Sequence, residues 1–259
     1  MIRTIGIDLG GSKIRAGVID EEGRLSEQSV IFTKADRGRE AVETRIRTLI
    51  EDLENQKTKV IGLAVPGVVR VKEEVIVNCP NLLGWKNIPF KELESLTNLP
   101  LIIENDAKCA LYAEADLGSA KGVKSVVLLT LGTGIGGAIL EDGQILHEEK
   151  NITDEIGHTV IDPTGPVCNC GQKGCIESFW RQRENQNHYI ARGIAIINQK
   201  YQPELFLLGG GLAQNNIASV QEELKKLGLN IKVELTKFGD WSGVIGSGKM
   251  ALDKLYVRS

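Results

Sequence analysis

What the chain lacks narrows its class before any motif is read. No apolar run approaches the roughly 20 residues of a membrane-spanning helix, and Met1 leads almost at once into strand-like sequence rather than a basic and then apolar leader. The expectation is a soluble, cytoplasmic protein with no membrane partner. Cationic excess is missing as well: 31 Lys and Arg stand against 34 Asp and Glu, for a formal net charge of -3. That balance offers no global attraction to a phosphate backbone, so nucleic acid is not an expected partner. Cysteines number five, too few to staple 259 residues and odd in any case, so at least one thiol is unpaired. Aromatic residues are scarce at 5%, whereas hydrophobic residues reach 42%, charged residues 25%, and glycines number 29. Such a composition supports a buried core in one large domain or two modest ones, and the glycines point to turns where backbone approaches something closely.

Ile2 to Leu9 reads as an apolar strand, Gly10-Gly11-Ser12-Lys13 as a turn, and Ile14 to Asp20 as the returning strand. The unit recurs: Ser125 to Leu131 is a strand, Gly132-Thr133-Gly134-Ile135-Gly136-Gly137 a glycine-rich turn, and Ala138 to Leu140 a second strand. This echo predicts two related halves, each offering a glycine turn. Between them, the apolar spacing of Arg39 to Gln56 predicts an amphipathic helix, Lys59 to Val65 a buried strand, and Val68 to Val77 further strand. Leu99 to Ile103 is a strand closed by Glu104-Asn105-Asp106, where Asp106 is placed to cap a helix running to Leu117. Downstream, Glu177 to Lys200 reads as helix, Glu204 to Leu208 as strand, residues up to Leu227 as helix, Ile231 to Thr236 as strand and Gly243 to Tyr256 as a closing helix. Strand and helix alternate throughout, which makes the class α/β.

His158 precedes Cys168, Cys170 and Cys175 in a stretch too rich in proline and glycine to be a regular element. One imidazole and three thiolates suit a tetrahedral Zn²⁺, and since protein fills all four positions the ion is expected to be structural. Such an ion orders the residues at either end of its loop, Glu155 and Glu177. Cys79 and Cys109 lack partners of this kind and read as small core residues.

Asp8 ends the first strand just before Gly10, Gly11, Ser12 and Lys13, where backbone N–H groups can cradle phosphate oxygens and a carboxylate can hold Mg²⁺ through water. Alone, this turn reads first as an ordinary hairpin tip. The second glycine turn, around Thr133, supports a phosphate role, although neither turn matches G-x-x-x-x-G-K-[ST]. Asp106, at a strand end, is either a helix cap or a carboxylate that takes a proton from an attacking hydroxyl.

Together, Asp8-Leu9-Gly10-Gly11-Ser12-Lys13, Glu104-Asn105-Asp106-Ala107, Leu131-Gly132-Thr133-Gly134-Ile135-Gly136-Gly137, Glu155-Ile156-Gly157-His158 and Cys168 to Glu177 resemble the ROK family of repressors, open reading frames and sugar kinases. Pro80-Asn81-Leu82, Gly84-Trp85 and Gly209-Gly210-Gly211 fit the same pattern. The resemblance implies an actin-like ATPase (ribonuclease H-like) fold of two related α/β domains with a cleft between them. It divides the chain into an N-terminal domain, 1–117, on the sugar and phosphate side, and a C-terminal domain, 118–243, with the zinc loop and nucleotide side; a helix at about 244–259 packs back on the first. It further implies a glucokinase-like phosphorylation of a hexose or N-acetylhexosamine by ATP with Mg²⁺, usually at the hydroxyl on carbon six, by a homodimer. By the same resemblance Asp106 is the general base, and Asn105, Glu155, His158 and Glu177 are partners of sugar hydroxyls, with Gly67 and Asn81 lining the pocket. Asp8 is similar to the Mg²⁺-associated carboxylate, Gly10, Gly11, Ser12, Lys13, Thr133 and Gly134 to phosphate contacts, and Gly210 and Gly211 to residues near the adenosine.

The sequence departs from the pattern in three places. Residues 178–208 are shorter than the family's usual helical stretch, which leaves polyphosphate open as an alternative donor. Glu148 and Asp154 add negative charge where the family commonly has glycine. Arg181 to His188 is unusually polar and reads as a solvated helix face. Besides an ATP-dependent sugar kinase, two readings compete. A sugar-sensing regulator would carry an added DNA-binding region, for which the strand starting at Ile2 leaves no room. The other is a zinc-stabilised sugar-binding protein with weakened catalysis.

Overall fold

The computed structural model describes residues 2–147 and 155–258, so Glu148 and Asp154 lie outside the described residues. The chain divides into two compact units, Met1–Ala113 with Trp241–Ser259, and Glu114–Asp240.

In the first unit, strands β1 (Arg3–Leu9), β2 (Lys13–Asp20) and β3 (Leu25–Phe32) precede helix α1 (Arg39–Leu53) and strand β4 (Thr58–Val65). A small antiparallel sheet follows, β5 (Val68–Arg70), β6 (Val75–Asn78) and β7 (Lys86–Pro89), then the short helix α2 (Phe90–Leu93), strand β8 (Leu101–Asn105) and helix α3 (Asp106–Leu117), whose last turn, from Glu114, is counted with the second unit. The expected strand 68–77 is therefore broken, with Glu74 in left-handed backbone at φ 52°. The main sheet has the order β3-β2-β1-β4-β8, with β1 antiparallel to β2 and parallel to β4. Its central strands are apolar on both faces because both are covered, and α1 buries Val42, Ile46, Leu49 and Ile50 against it. Cys79 and Cys109 are buried, as the sequence reading expects.

The second unit contains β9 (Val126–Leu131), β10 (Ile135–Glu141), β11 (Gln144–Ile145), helices α4 (Ile176–Gln182) and α5 (Gln186–Tyr201), strand β12 (Leu205–Gly209), helix α6 (Ala213–Lys226) and strand β13 (Val233–Leu235). Its sheet runs β11-β10-β9-β12-β13, with β9 antiparallel to β10 and parallel to β12. Order and directions repeat those of the first sheet, so the echo of the two glycine hairpins extends to their whole surroundings. The second turn is tighter than its glycines suggest: Gly136 and Gly137 pair with Thr130 and Leu129 inside the sheet, which leaves Gly132 to Gly134 as the tip. The single helix expected over 177–200 is two, broken where Arg183 and Asn185 adopt positive φ of 60° and 49°. The polar stretch 181–188 is thus a helix junction rather than one solvated face. Its ends are engaged, Arg181 with Glu177 and His188 with Glu223.

The closing helix α7 (Ser242–Arg258) belongs to the first unit and packs on the middle of its sheet. A Cβ at Gly62 would lie 2.1 Å from the Ser247 carbonyl oxygen, and one at Gly246 would lie 1.7 Å from that of Cys109. Backbone therefore meets backbone across these contacts, a reason for small residues that is independent of turn formation.

In the second unit the buried carboxylate of Glu114 accepts three backbone N–H groups, from Ser119 at 2.8 Å, Lys237 at 3.0 Å and Phe238 at 3.1 Å. Its removal strands three inward-facing donors. Glu114→Ala is expected to cost roughly 3 kcal/mol or more in urea denaturation, with Glu114→Gln intermediate. A loss below about 1 kcal/mol for the alanine variant would contradict this role.

Candidate functional site

The first unit brings together residues from the ends of β1 and β8. Asn105, the last residue of β8, is the true helix cap: its Oδ1 accepts the Lys108 N–H at 3.0 Å, while its Nδ2 donates to the Gly67 carbonyl at 2.8 Å. Asp106 is consequently the first residue of α3, its carboxylate taking the Ala107 N–H at 2.7 Å. Capping duty falls to the neighbour, and Asp106 is left for other chemistry. Gly67 has φ 82°, and a Cβ there would meet the Asn78 carbonyl oxygen at 2.1 Å, so glycine is required for the link to Asn105 to form. Burial, and then the nearby charge of Asp8, push the Asp106 carboxyl up to about 7. Asp8, next to last in β1, lies against the first turn of α7, close enough that a Cβ at Gly243 would lie 2.9 Å from its carboxyl carbon.

The turn after Asp8 is closed by the Gly10 N–H on the Lys13 carbonyl at 3.0 Å, leaving Ser12 and Lys13 exposed. A residue the sequence reading missed, the buried Thr33, latches it: Oγ1 donates to the Gly10 carbonyl at 2.6 Å and the backbone N–H to that of Ser12 at 2.9 Å. Asn81 packs on Gly11, and with Asn78, Cys79, Trp85 and Asp36 it lines an open groove of about 420 Å³.

In the second unit the donor atoms of His158, Cys168, Cys170 and Cys175 all lie within 4.8 Å of one another. Cys170 and Cys175 sulfurs are 3.7 Å apart, and Cys168 Sγ is 3.4 Å from His158 Nδ1. Zn–S bonds of about 2.3 Å in a tetrahedron set sulfurs roughly 3.8 Å apart, so the four donors fit a zinc ion. The electrostatics of the two side chains differ in sign. Burial lowers His158 toward the neutral imidazole that binds metals, whereas burial, followed by the neighbouring Cys170 thiol, raises Cys175 well above an ordinary thiol, so a metal held there as thiolate would have to displace its proton. With Nδ1 facing the sulfurs, His158 presents Nε2 to Glu155 at 3.8 Å. Glu177, the second residue of α4, follows Cys175 by two, and its Oε2 accepts the Ile135 N–H at 3.0 Å. Gly134 lies against that carboxylate, while Thr133 is exposed. Gly210, at φ 81°, abuts the Leu131 carbonyl at the end of β9, and Gly211 is exposed beside it.

Each unit thus pairs a glycine turn at the end of its first strand with carboxylates held by backbone N–H groups, on sheets of one shared strand order, the layout of an actin-like fold. Residues 4–183 match the ROK family model, and the chain belongs to the ROK family. It is 35% identical over 179 residues to a glucokinase of Thermotoga maritima, the match covering 68% of this chain and 56% of that protein. It is also 35% identical over 177 residues to an N-acetylmannosamine kinase of Citrobacter koseri, covering 68% and 60%. The chain therefore spans less than two thirds of the length of these curated relatives. Among solved structures it resembles a ROK hexokinase from Thermus thermophilus, with a TM-score of 0.79, 27% identity and coverage of 99% of this chain and 100% of that one. An inorganic polyphosphate/ATP-glucomannokinase from Arthrobacter sp. strain KM gives a TM-score of 0.80 at 25% identity, with both chains fully covered.

Proposed function

We propose that the protein transfers the γ-phosphoryl group of ATP to the 6-hydroxyl of a hexose or N-acetylhexosamine. The observation that carries the reading is Asp106, a carboxylate released from capping by Asn105 and raised to about 7, where a general base works near neutral pH. It would accept the sugar hydroxyl's proton as that oxygen attacks phosphorus. Asn105, Glu155, His158 Nε2 and Glu177 would orient the sugar, with Gly67 and Asn81 beside it, because fixed carboxylates supply directional, charge-assisted hydrogen bonds. Gly10 to Lys13, Thr133 and Gly134 would hold phosphate oxygens through backbone N–H groups, and Gly210 and Gly211 would lie by the nucleoside. Asp8 fits a magnesium ion as a partly exposed carboxylate at the phosphate turn; bound there with ATP, Mg²⁺ would neutralise charge on the transferring group. Zinc at His158, Cys168, Cys170 and Cys175 would order the loop that carries Glu155 and Glu177.

A coupled ADP-release assay over glucose, mannose, fructose, N-acetylglucosamine and N-acetylmannosamine tests the reading. Turnover with at least one is expected, and silence with all would favour a sugar-binding protein without catalysis. Polyphosphate as donor is the second reading, supported by the full-length likeness to the Arthrobacter glucomannokinase and the short segment 178–208.

The pH profile follows from Asp106. A base must be ionised to work, so kcat/KM is expected to rise about tenfold per pH unit below an inflection near 7 and to level off above it. Asp8→Asn removes the neighbouring charge and shifts the inflection to lower pH. For stability the sign is opposite: a carboxyl raised in the fold stabilises it fully below the ordinary carboxylate range, and that contribution is lost as pH climbs through about 7. A flat rate profile from pH 5.5 to 8 would remove Asp106 from the base role.

A further inference from the structure

Helix α4 follows the last cysteine directly, and three of its side chains reach back to the glycine turn of the same unit. Glu177 accepts the Ile135 N–H at 3.0 Å through Oε2, and Arg181 Nη2 lies 2.9 Å from the other carboxylate oxygen. Trp180, only 3% exposed, donates its indole N–H to the Gly132 carbonyl at 3.0 Å. Within the turn the Gly132 N–H bonds to the Gly134 carbonyl at 3.0 Å. From the far end of the cysteine loop, Gly157 packs on Ile135 so closely that a Cβ would lie 1.9 Å from its carbonyl oxygen.

A tip of three residues, two of them glycine, has little stiffness of its own. Here it is seated between the two ends of the loop that the histidine and cysteines close. The buried indole N–H needs an acceptor, and its acceptor is the turn rather than a neighbour on its own helix. Glu177, with about four lone-pair positions, gives one to Ile135 and one to Arg181 and keeps two directions for a ligand. The planar guanidinium fixes the plane of that carboxylate as a single-point ammonium would not.

We propose that Trp180 and Arg181 are positioning residues of the transfer: Trp180 holds the glycine turn offered to the phosphoryl donor, and Arg181 holds the Glu177 carboxylate offered to the sugar. The identity of the two ligands rests on the proposed function, whereas the clamp lies within one unit and is measurable without turnover. The two halves separate kinetically, which a general loss of packing would not produce.

The experiment compares Trp180→Phe, which keeps the bulk and loses the donor, with Arg181→Met and Arg181→Lys. It reads kcat, the KM for ATP, the KM for the best sugar of the panel, zinc content, and amide hydrogen exchange over 132–137. Trp180→Phe is expected to raise the ATP KM roughly 3- to 10-fold, the loss of one hydrogen bond, while the sugar KM stays within about twofold. Arg181→Met is expected to do the reverse, at the lower end of that range because the side chain is 36% exposed, and Arg181→Lys to recover part. Trp180→Phe and Arg181→Met retain zinc and exchange faster at Ile135. Equal shifts in both KM values, or no shift in either, overturn the proposal. If the zinc-loaded wild type phosphorylates no sugar, the functional reading falls and exchange at Ile135 decides the clamp: acceleration sustains it and unchanged exchange overturns it.

Discussion

Asp106→Asn is expected to lower kcat by 10² to 10⁴-fold while leaving sugar affinity nearly unchanged. The side chains are close in size, and asparagine can still accept the Ala107 N–H that the aspartate takes at 2.7 Å, so the start of α3 survives. What disappears is the capacity to take a proton. Asparagine cannot ionise, so the residual rate should also lose the inflection near pH 7 that burial and Asp8 give the wild type. Sugar binding by calorimetry and turnover by ADP release separate the two effects. A variant that keeps turnover within about tenfold of wild type would place the base elsewhere.

Cys170→Ser is expected to abolish stoichiometric zinc binding and to weaken sugar binding with it. The sulfur lies 3.7 Å from that of Cys175, and a serine hydroxyl is a far poorer zinc ligand than a thiolate. Glu155 stands three residues before His158 and Glu177 two after Cys175, so release of the metal frees both ends of the loop. Zinc peptides gain about 10 to 16 kcal/mol from metal, but a chain with its own core realises much less, and a lowered melting temperature rather than outright unfolding is the expected result. Chelation of the wild type should reproduce the loss, and zinc should restore it. Unchanged sugar affinity in a metal-free variant would break the link between the loop and the site.

The sequence carries the fold well where periodicity is strong. The two glycine hairpins announce two related sheets, and their shared strand order, β3-β2-β1-β4-β8 against β11-β10-β9-β12-β13, extends that echo. It fails where one residue's backbone decides. Nothing in the polarity of 177–200 reveals that Arg183 and Asn185 break the helix, and the glycines at 136 and 137 read as turn although the sheet pairs them. Asp106 illustrates the limit at the site. Asn and Asp both cap helices, and only the hydrogen bond from Lys108 assigns that task to Asn105. The cluster of His158, Cys168, Cys170 and Cys175 was legible from residue type and spacing alone. Thr33 and Trp180 were not, because their contacts join segments far apart in the chain, and no local pattern marks a threonine that latches a turn over 20 residues away. Arg181 stands four residues after Glu177, a spacing that permits an ion pair, yet it falls in a stretch that reads as a solvated face.

The most direct test of the account is the chemical identity of the product. Phosphorus–proton correlation NMR on a reaction with ATP, magnesium and the sugar preferred in the ADP-release panel should show one new phosphomonoester coupled to the two protons on carbon six, formed in step with ADP. Release of ADP with no sugar ester, or an ester on a ring carbon instead, would contradict the placement of Asp106 as base to the 6-hydroxyl.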